Sequence, residues 1–322
     1  MNKTLFFWIA LIFFSSCKKK TDTFSQQDSK AVNTISVIID DQLWNSEVGD
    51  SIRNKFASPV LGLPQEEPLF TLKQYPAKLF EGFSTGSRNM IIIKKGNFNR
   101  YEMRVNEFST PQNTIHITGK STDEILFLLE KHYQQIIKKM RDAEISECQK
   151  VFSDSLVDTK KIRNKFNIEL SIPFGYETVL SRKKLIWLKK EITSGNVSLL
   201  IYQIPYNYIH NSKAVTDIVR TRDSIGKLYI KTRGTNTRMI TDEAYSPYFR
   251  KTDVGGNIAF ETKGTWLMKN DYMSGPFINY AVKDKGNNRI IVLEGFCYAP
   301  SKEKRDLMFE AEAIIKTIKI LK

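Results

Sequence analysis

The first seventeen residues, MNKTLFFWIALIFFSSC, constrain the folded product more than any other stretch, because all but the last of them read as a segment removed from the mature chain. Lys3 precedes an unbroken apolar run from Leu5 to Phe14, and Ser15 and Ser16 lead into Cys17. The run is about half of the roughly 20 apolar residues a helix needs to cross a bilayer. It therefore reads as the hydrophobic region of a secretory signal, with an exported body expected to follow.

A cysteine after two small residues resembles a bacterial lipobox, with Phe14 standing where such a motif usually has Leu. The resemblance implies that the Cys17 thiol is alkylated by diacylglycerol, that residues 1–16 are removed and that the new amino terminus is acylated. Two or more chains anchor stably where one does not, at about 0.8 kcal/mol per buried methylene. The expected partner is thus a membrane, held through Cys17. Lys18, Lys19 and Lys20 open a polar tether over 17–33, either facing anionic headgroups at roughly 1 kcal/mol each or simply solvated. Of the remaining thiols, Cys148 and Cys297 read as unpaired, and the absence of CxxC or Cys/His spacing gives no expectation of a metal or cofactor.

Beyond the leader, 41% apolar and 26% charged residues exclude a disordered or fibrous chain, and 322 residues suffice for one large or two ordinary domains. A net charge of +14 favours anionic partners. Nucleic acid is not among those expected, because export separates the two and no recognition motif is present.

Periodicity predicts a strand with Ile35, Val37 and Ile39, then a helix from about Asn45 with Val48, Ile52 and Phe56 on one face and Trp44 in a staple-like position before it. A continuous apolar run, Met90 to Ile93, predicts a strand buried on both faces, and strands follow at 99–106 and 113–119. A capping box at Ser121 and Glu124 opens a helix to about Arg141. In the second part, strands are predicted near 167–172, 184–190, 197–204, 264–269, 277–283 and 288–298, with helices from Asn211 and from Ser301 to Leu321. The stretch 228–262 has no clean period and reads as a long loop. Lys95-Gly96-Asn97 and Lys285-Gly286-Asn287 read as two hairpin turns. The expectation is an α+β protein with antiparallel-rich sheets covered by amphipathic helices, in two halves of similar layout: 34–145 and 167–322, joined by a charged connector over 146–166.

Four runs, IDDQLWNSEVGD (39–50), GLPQEEPLF (62–70), RNMIII (88–93) and GTWLMKNDYMSGPF (264–277), together resemble domain of unknown function 4837, a family of Bacteroidota proteins, over about 34–321. That resemblance implies an exported lipoprotein of a Gram-negative envelope and carries over no catalytic residue.

Candidate chemistry is sparse. Gly82-Phe83-Ser84-Thr85-Gly86 fits G-x-S-x-G, yet a buried strand rather than a helix follows it, so a glycine-rich turn is the preferred reading. Ser181 and Lys184 fit S-x-x-K without a helical setting. His116, His132 and His210 lack metal-ligand spacing. Asp40 and Asp41 read as strand-ending and capping residues; Glu66 and Glu67, framed by Pro64 and Pro68, form an extended display of carboxylates. Glu294 shares a strand face with Ile290, Val292 and Phe296, which predicts a buried ion pair. Trp44, Glu66, Glu67, Trp266 and Tyr272 are the candidate binding residues, for an envelope glycan, peptide or protein. The chain is expected to be a lipid-anchored, periplasm-facing binding or structural module. The alternatives are a glycan or peptide hydrolase using carboxylates such as Asp41, Glu66 or Glu67, and an accessory subunit of an outer-membrane assembly.

Overall fold

The computed structural model describes residues 31–79 and 86–321. The first sheet is built from β1 (Thr34–Ile38), β2 (Thr71–Tyr75), β3 (Asn89–Lys95), β4 (Arg100–Val105) and β5 (Asn113–Gly119), in the order β2-β1-β3-β5-β4. A short helix α1 (Asp41–Trp44) and α2 (Glu47–Phe56) follow β1. Ser46 caps α2 by accepting from the Val48 amide at 3.3 Å, and Val48, Ile52 and Phe56 are fully buried at the predicted spacing.

Pairing in this sheet differs from the sequence expectation. β1 runs parallel to β2 and β3, and β3 runs parallel to β5; only β4 is antiparallel to its neighbour. Lys95-Gly96-Asn97 is therefore not a hairpin turn, since β5 lies between the strands it connects. The cause is burial: the apolar β3 takes an interior place with a partner on each side, whereas β4, RYEMRV, carries charges that suit an edge.

Helix α3 (Thr122–Ser153) starts at the predicted cap, where Ser121 accepts from the Glu124 amide. It continues well past Arg141, for 32 residues and about 48 Å at 1.5 Å per residue. Its early face (Ile125, Leu129, Ile136, Met140) completes the first core; its last turns, with Ile145 and Phe152, enter a second one. A short α4 (Lys160–Phe166) follows.

The remaining strands are β6 (Ile168–Glu169), β7 (Glu177–Arg182), β8 (Leu185–Ile192), β9 (Gly195–Pro205), β10 (Arg238–Thr241), β11 (Tyr248–Val254), β12 (Asn257–Lys269), β13 (Ser274–Asp284), β14 (Arg289–Tyr298) and β15 (Lys319–Ile320). Eight of them form one antiparallel sheet, ordered β10-β12-β13-β14-β9-β8-β7 with β11 also on β12. Here Lys285-Gly286-Asn287 does turn a hairpin, between β13 and β14. The expected long loop at 228–262 instead holds β10, β11 and the start of β12. β11 has polar residues on both faces, which erases the alternation a strand normally shows.

Helix α5 (Ala214–Tyr229) covers one face of the large sheet; α6 (Arg305–Ile315) and the end of α3 cover the other. The final helix is shorter than predicted because Lys319 and Ile320 peel off to pair with β6. The whole is an α+β fold in two halves whose sheets differ in strand direction and order. Under α5, Glu294 and Arg222, at most 2% exposed, form a forked pair with contacts of 2.8–3.0 Å. Asn279 adds a bond at 2.7 Å and the Phe277 ring lies 3.5 Å from the guanidinium. This is the buried ion pair predicted from alternation.

Candidate functional site

Where the halves meet, the loop 59–68 of the first lies on β12 of the second. Its ends are drawn together by a bridge between Pro59 and Pro68 and by the Val60 amide donating to the Glu67 carbonyl. Gly62 adopts φ +85°, and a Cβ there would fall 2.9 Å from the Gly264 nitrogen, so only glycine allows this approach. Beside the contact opens a cleft of about 780 Å³, within the range of small-ligand sites.

One wall of the cleft is apolar, with Leu61, Leu63, Phe249, Ile278, Met308 and Phe309. The other is a network around two buried carboxylates, Glu261 on β12 and Glu312 on α6. Arg250 grips Glu261 through Nε and Nη2 at 2.9 and 2.7 Å. Arg141 and Lys316 reach Glu312 at 2.9 and 2.7 Å, while Lys263 Nζ lies 3.4 Å from Glu261 and 3.3 Å from Glu312. The Tyr280 hydroxyl donates to Glu261 at 2.6 Å and stands 3.4 Å from Glu312. A second cleft of about 690 Å³ adjoins and shares Arg141, Arg250, Lys263 and Glu312.

The electrostatics follow from this geometry. Burial raises the Glu312 carboxyl, but Lys263, Arg141 and Lys316 outweigh it and hold the group well below the ordinary carboxylate range. Glu261 behaves alike: burial opposes ionisation, and the Arg250 fork with Lys263 wins. Tyr280 is pushed the other way, first by burial and then by the two carboxylates, so it keeps its proton. Both acids are ionised at neutral pH and neither holds a proton to give to a leaving group.

The predicted site residues do not converge. Cys17, Lys18, Lys19, Lys20 and Ser84 lie outside the described residues. Trp44 ends α1, its ring 4.6 Å from the Arg53 guanidinium. Asp41 accepts from Gln74 at 3.0 Å. Glu66 is exposed at the cleft rim. Glu67 turns inward, 6% exposed, and accepts from the Lys304 amide at 2.8 and 3.0 Å and from the Arg305 amide at 2.7 Å. It thereby caps α6, whose own N-cap residue supplies no side-chain bond. Arg305 returns the contact, donating to the Pro68 carbonyl and to Thr71 Oγ1, each at 3.0 Å.

Trp266 and Tyr272 separate completely: the first is 2% exposed, edge-on to Phe296, and the second is fully exposed at the tip of the β12–β13 turn. His116 bonds Glu107, His210 bonds Asp217, and His132 stacks flat on Tyr101 at 3.8 Å. Ser181 accepts from Lys165 at 2.6 Å in the β7–β8 hairpin. Cys148 and Cys297 are free. Among the described residues no cluster of His, Cys, Asp or Glu could hold a metal, and no helix is long and apolar enough to cross a membrane. Sequence reading missed Glu261 and Glu312, although Glu312 carried a signal: it lies four residues after Met308 and three before Ile315, on the apolar stripe of α6.

Two family models match. Domain of unknown function (DUF4837) covers residues 155–317, and Domain of unknown function (DUF8532) covers residues 29–153. Of the four runs that carried the resemblance, only GTWLMKNDYMSGPF falls within the DUF4837 match; the other three fall within the second. No curated protein matches the chain. Among solved structures, the Ran-binding protein Mog1p of Saccharomyces cerevisiae is 8% identical, covers 48% of this chain and 90% of its own, and superposes with a TM-score of 0.29; a Mog1 point mutant gives the same values. At that score the likeness carries no argument.

Proposed function

The chain belongs to the DUF4837 family, and from that premise we propose that it is a cell-envelope protein anchored through lipid on Cys17, facing the periplasm, whose folded body binds a small ligand in the cleft between its halves. The observation that carries the binding reading is the pair Glu261 and Glu312, held ionised in a preformed concave site of ligand size. The anchor reading is supported by the apolar run ending at Ser15, Ser16 and Cys17. A hydrolase using Asp41, Glu66 or Glu67 is supported less, since these three side chains have separate roles in capping, at a rim and beside Gln74.

Two experiments test the two parts. Globomycin treatment and the Cys17→Ala variant should each leave an unprocessed chain; normal processing and membrane association in both would end the anchor reading. Native mass spectrometry of the chain released gently from membranes should show a bound small molecule, lost when Leu61→Trp narrows the cleft. Identical spectra for the two chains would end the cleft reading.

A further inference from the structure

We infer that the ligand of this cleft is an organic anion with a compact, doubly charged head and an apolar body, the head seated among Arg141, Arg250 and Lys263, which line both clefts, with Lys316 of the adjoining cleft beside them. The inference rests on the cleft being the binding site and adds the class of compound it takes.

Charge at the junction of the clefts favours an anion. Four cations converge on two carboxylates, an excess of two positive charges at one spot. Elsewhere on the wall Arg305 is paired with Asp306 at 2.8 Å and Lys138 with Asp142, which leaves Glu66 at the rim of one cleft and Asp253 in the other as the further acids. Arg141, Lys263 and Lys316 are partly buried and Arg250 is exposed beside them; crowding like charges there is unfavourable, and a dianion relieves it.

The cations also keep unused donor capacity. Arg250 commits Nε and Nη2 to Glu261, leaving Nη1; Arg141 commits Nη2 to Glu312, leaving Nε and Nη1. Lys263 sits 3.3 and 3.4 Å from its two acids, longer than the roughly 2.7–2.9 Å of a committed charged hydrogen bond. The buried acids thus hold the cations in place while their remaining N–H groups stay available. Guanidinium forks so fixed suit phosphate or paired carboxylate oxygens. On the opposite wall, the leucines, Met308 and two phenylalanines offer an apolar body a matching surface.

The test uses the lipidated chain in phosphatidylcholine nanodiscs, with empty discs as blank, and phenyl phosphate as probe in isothermal titration calorimetry. Saturable binding is expected, about tenfold or more tighter than for inorganic phosphate or benzyl alcohol, since neither engages both walls. Arg250→Gln and Lys316→Gln should each weaken it about tenfold, one charged contact's worth. Lys263 stays beside Glu261, and Lys263 with Arg141 beside Glu312, so neither buried acid loses all its cations and the fold is expected to survive, as an unchanged circular-dichroism spectrum would verify. Discs doped with phosphatidic acid should compete if the natural compound is a lipid headgroup and leave binding intact if it is soluble; either result keeps the dianion. Equal affinity for benzyl alcohol and phenyl phosphate, with both variants silent, overturns the anionic class yet leaves the cleft as site. No binding of any probe, together with no bound compound in the native mass spectra, overturns both.

Discussion

Replacing Glu67 by alanine tests the claim that a loop of the first half caps a helix of the second. The carboxylate receives both the Lys304 and the Arg305 amides at 2.7–3.0 Å, across more than two hundred residues of chain. Removing it leaves two buried donors without an acceptor, at about 1–3 kcal/mol for each that water does not reach. It also withdraws a negative charge from a partly buried helix N-terminus, an effect of up to ~2 kcal/mol. With water partly refilling the space, the net loss is about 3 kcal/mol. For a chain of this length roughly 0.6 kcal/mol corresponds to one degree, so the melting temperature should fall by about 5 °C. Glu67→Gln keeps one accepting oxygen and should lose about half as much. Urea unfolding followed by circular dichroism reads both. A Glu67→Ala chain within about 0.5 kcal/mol of the parent would refute the reasoning.

Three further outcomes follow from buried charge and from one buried and one partly buried thiol. Arg222→Met strands Glu294 in the core and should cost about 3–5 kcal/mol in urea unfolding, whereas Arg222→Met with Glu294→Leu should recover much of it, the mark of a coupled pair. Because Glu261 and Glu312 have depressed values in the folded chain, the stability they add is fully present above the ordinary value of 4.5 and is lost as pH falls through their folded values. Unfolding midpoints should therefore drop steeply below that pH, and Lys263→Met should flatten the dependence; an acid profile unchanged by that substitution would contradict the network. Cys148 and Cys297 are each pushed up to about 12, chiefly by burial, so neither should react with Ellman's reagent at pH 8 until urea is added. Rapid native labelling of either would contradict their placement.

Local elements were legible where a segment's own pattern decides its fate. The stripe Val48, Ile52, Phe56, the Ser121 cap and the misplaced acid at Glu294 each announce themselves within a few residues. What stayed hidden depends on distant partners. Nothing within β1 says that β2 and β3 will lie parallel to it, and nothing around Glu67 points to amides at 304 and 305. Trp266 and Tyr272 look alike as aromatics flanking one turn; strand parity buries the first, while the turn tip exposes the second. The cleft was the least legible feature, because its cations come from α3, β11, β12 and the first residue of α6, and no one window of sequence holds them together.

Helix α3 begins in one core and ends in the other, and the boundary between the two matched families falls at its last residue. A gene cut at that boundary would yield an amino-terminal product with Ile145 and Phe152 bared on a helix end, and a carboxy-terminal product with a matching hole. Such fragments would be sticky or unfolded apart and complementary when mixed. Each stretch thus carries part of the surface that the other needs covered.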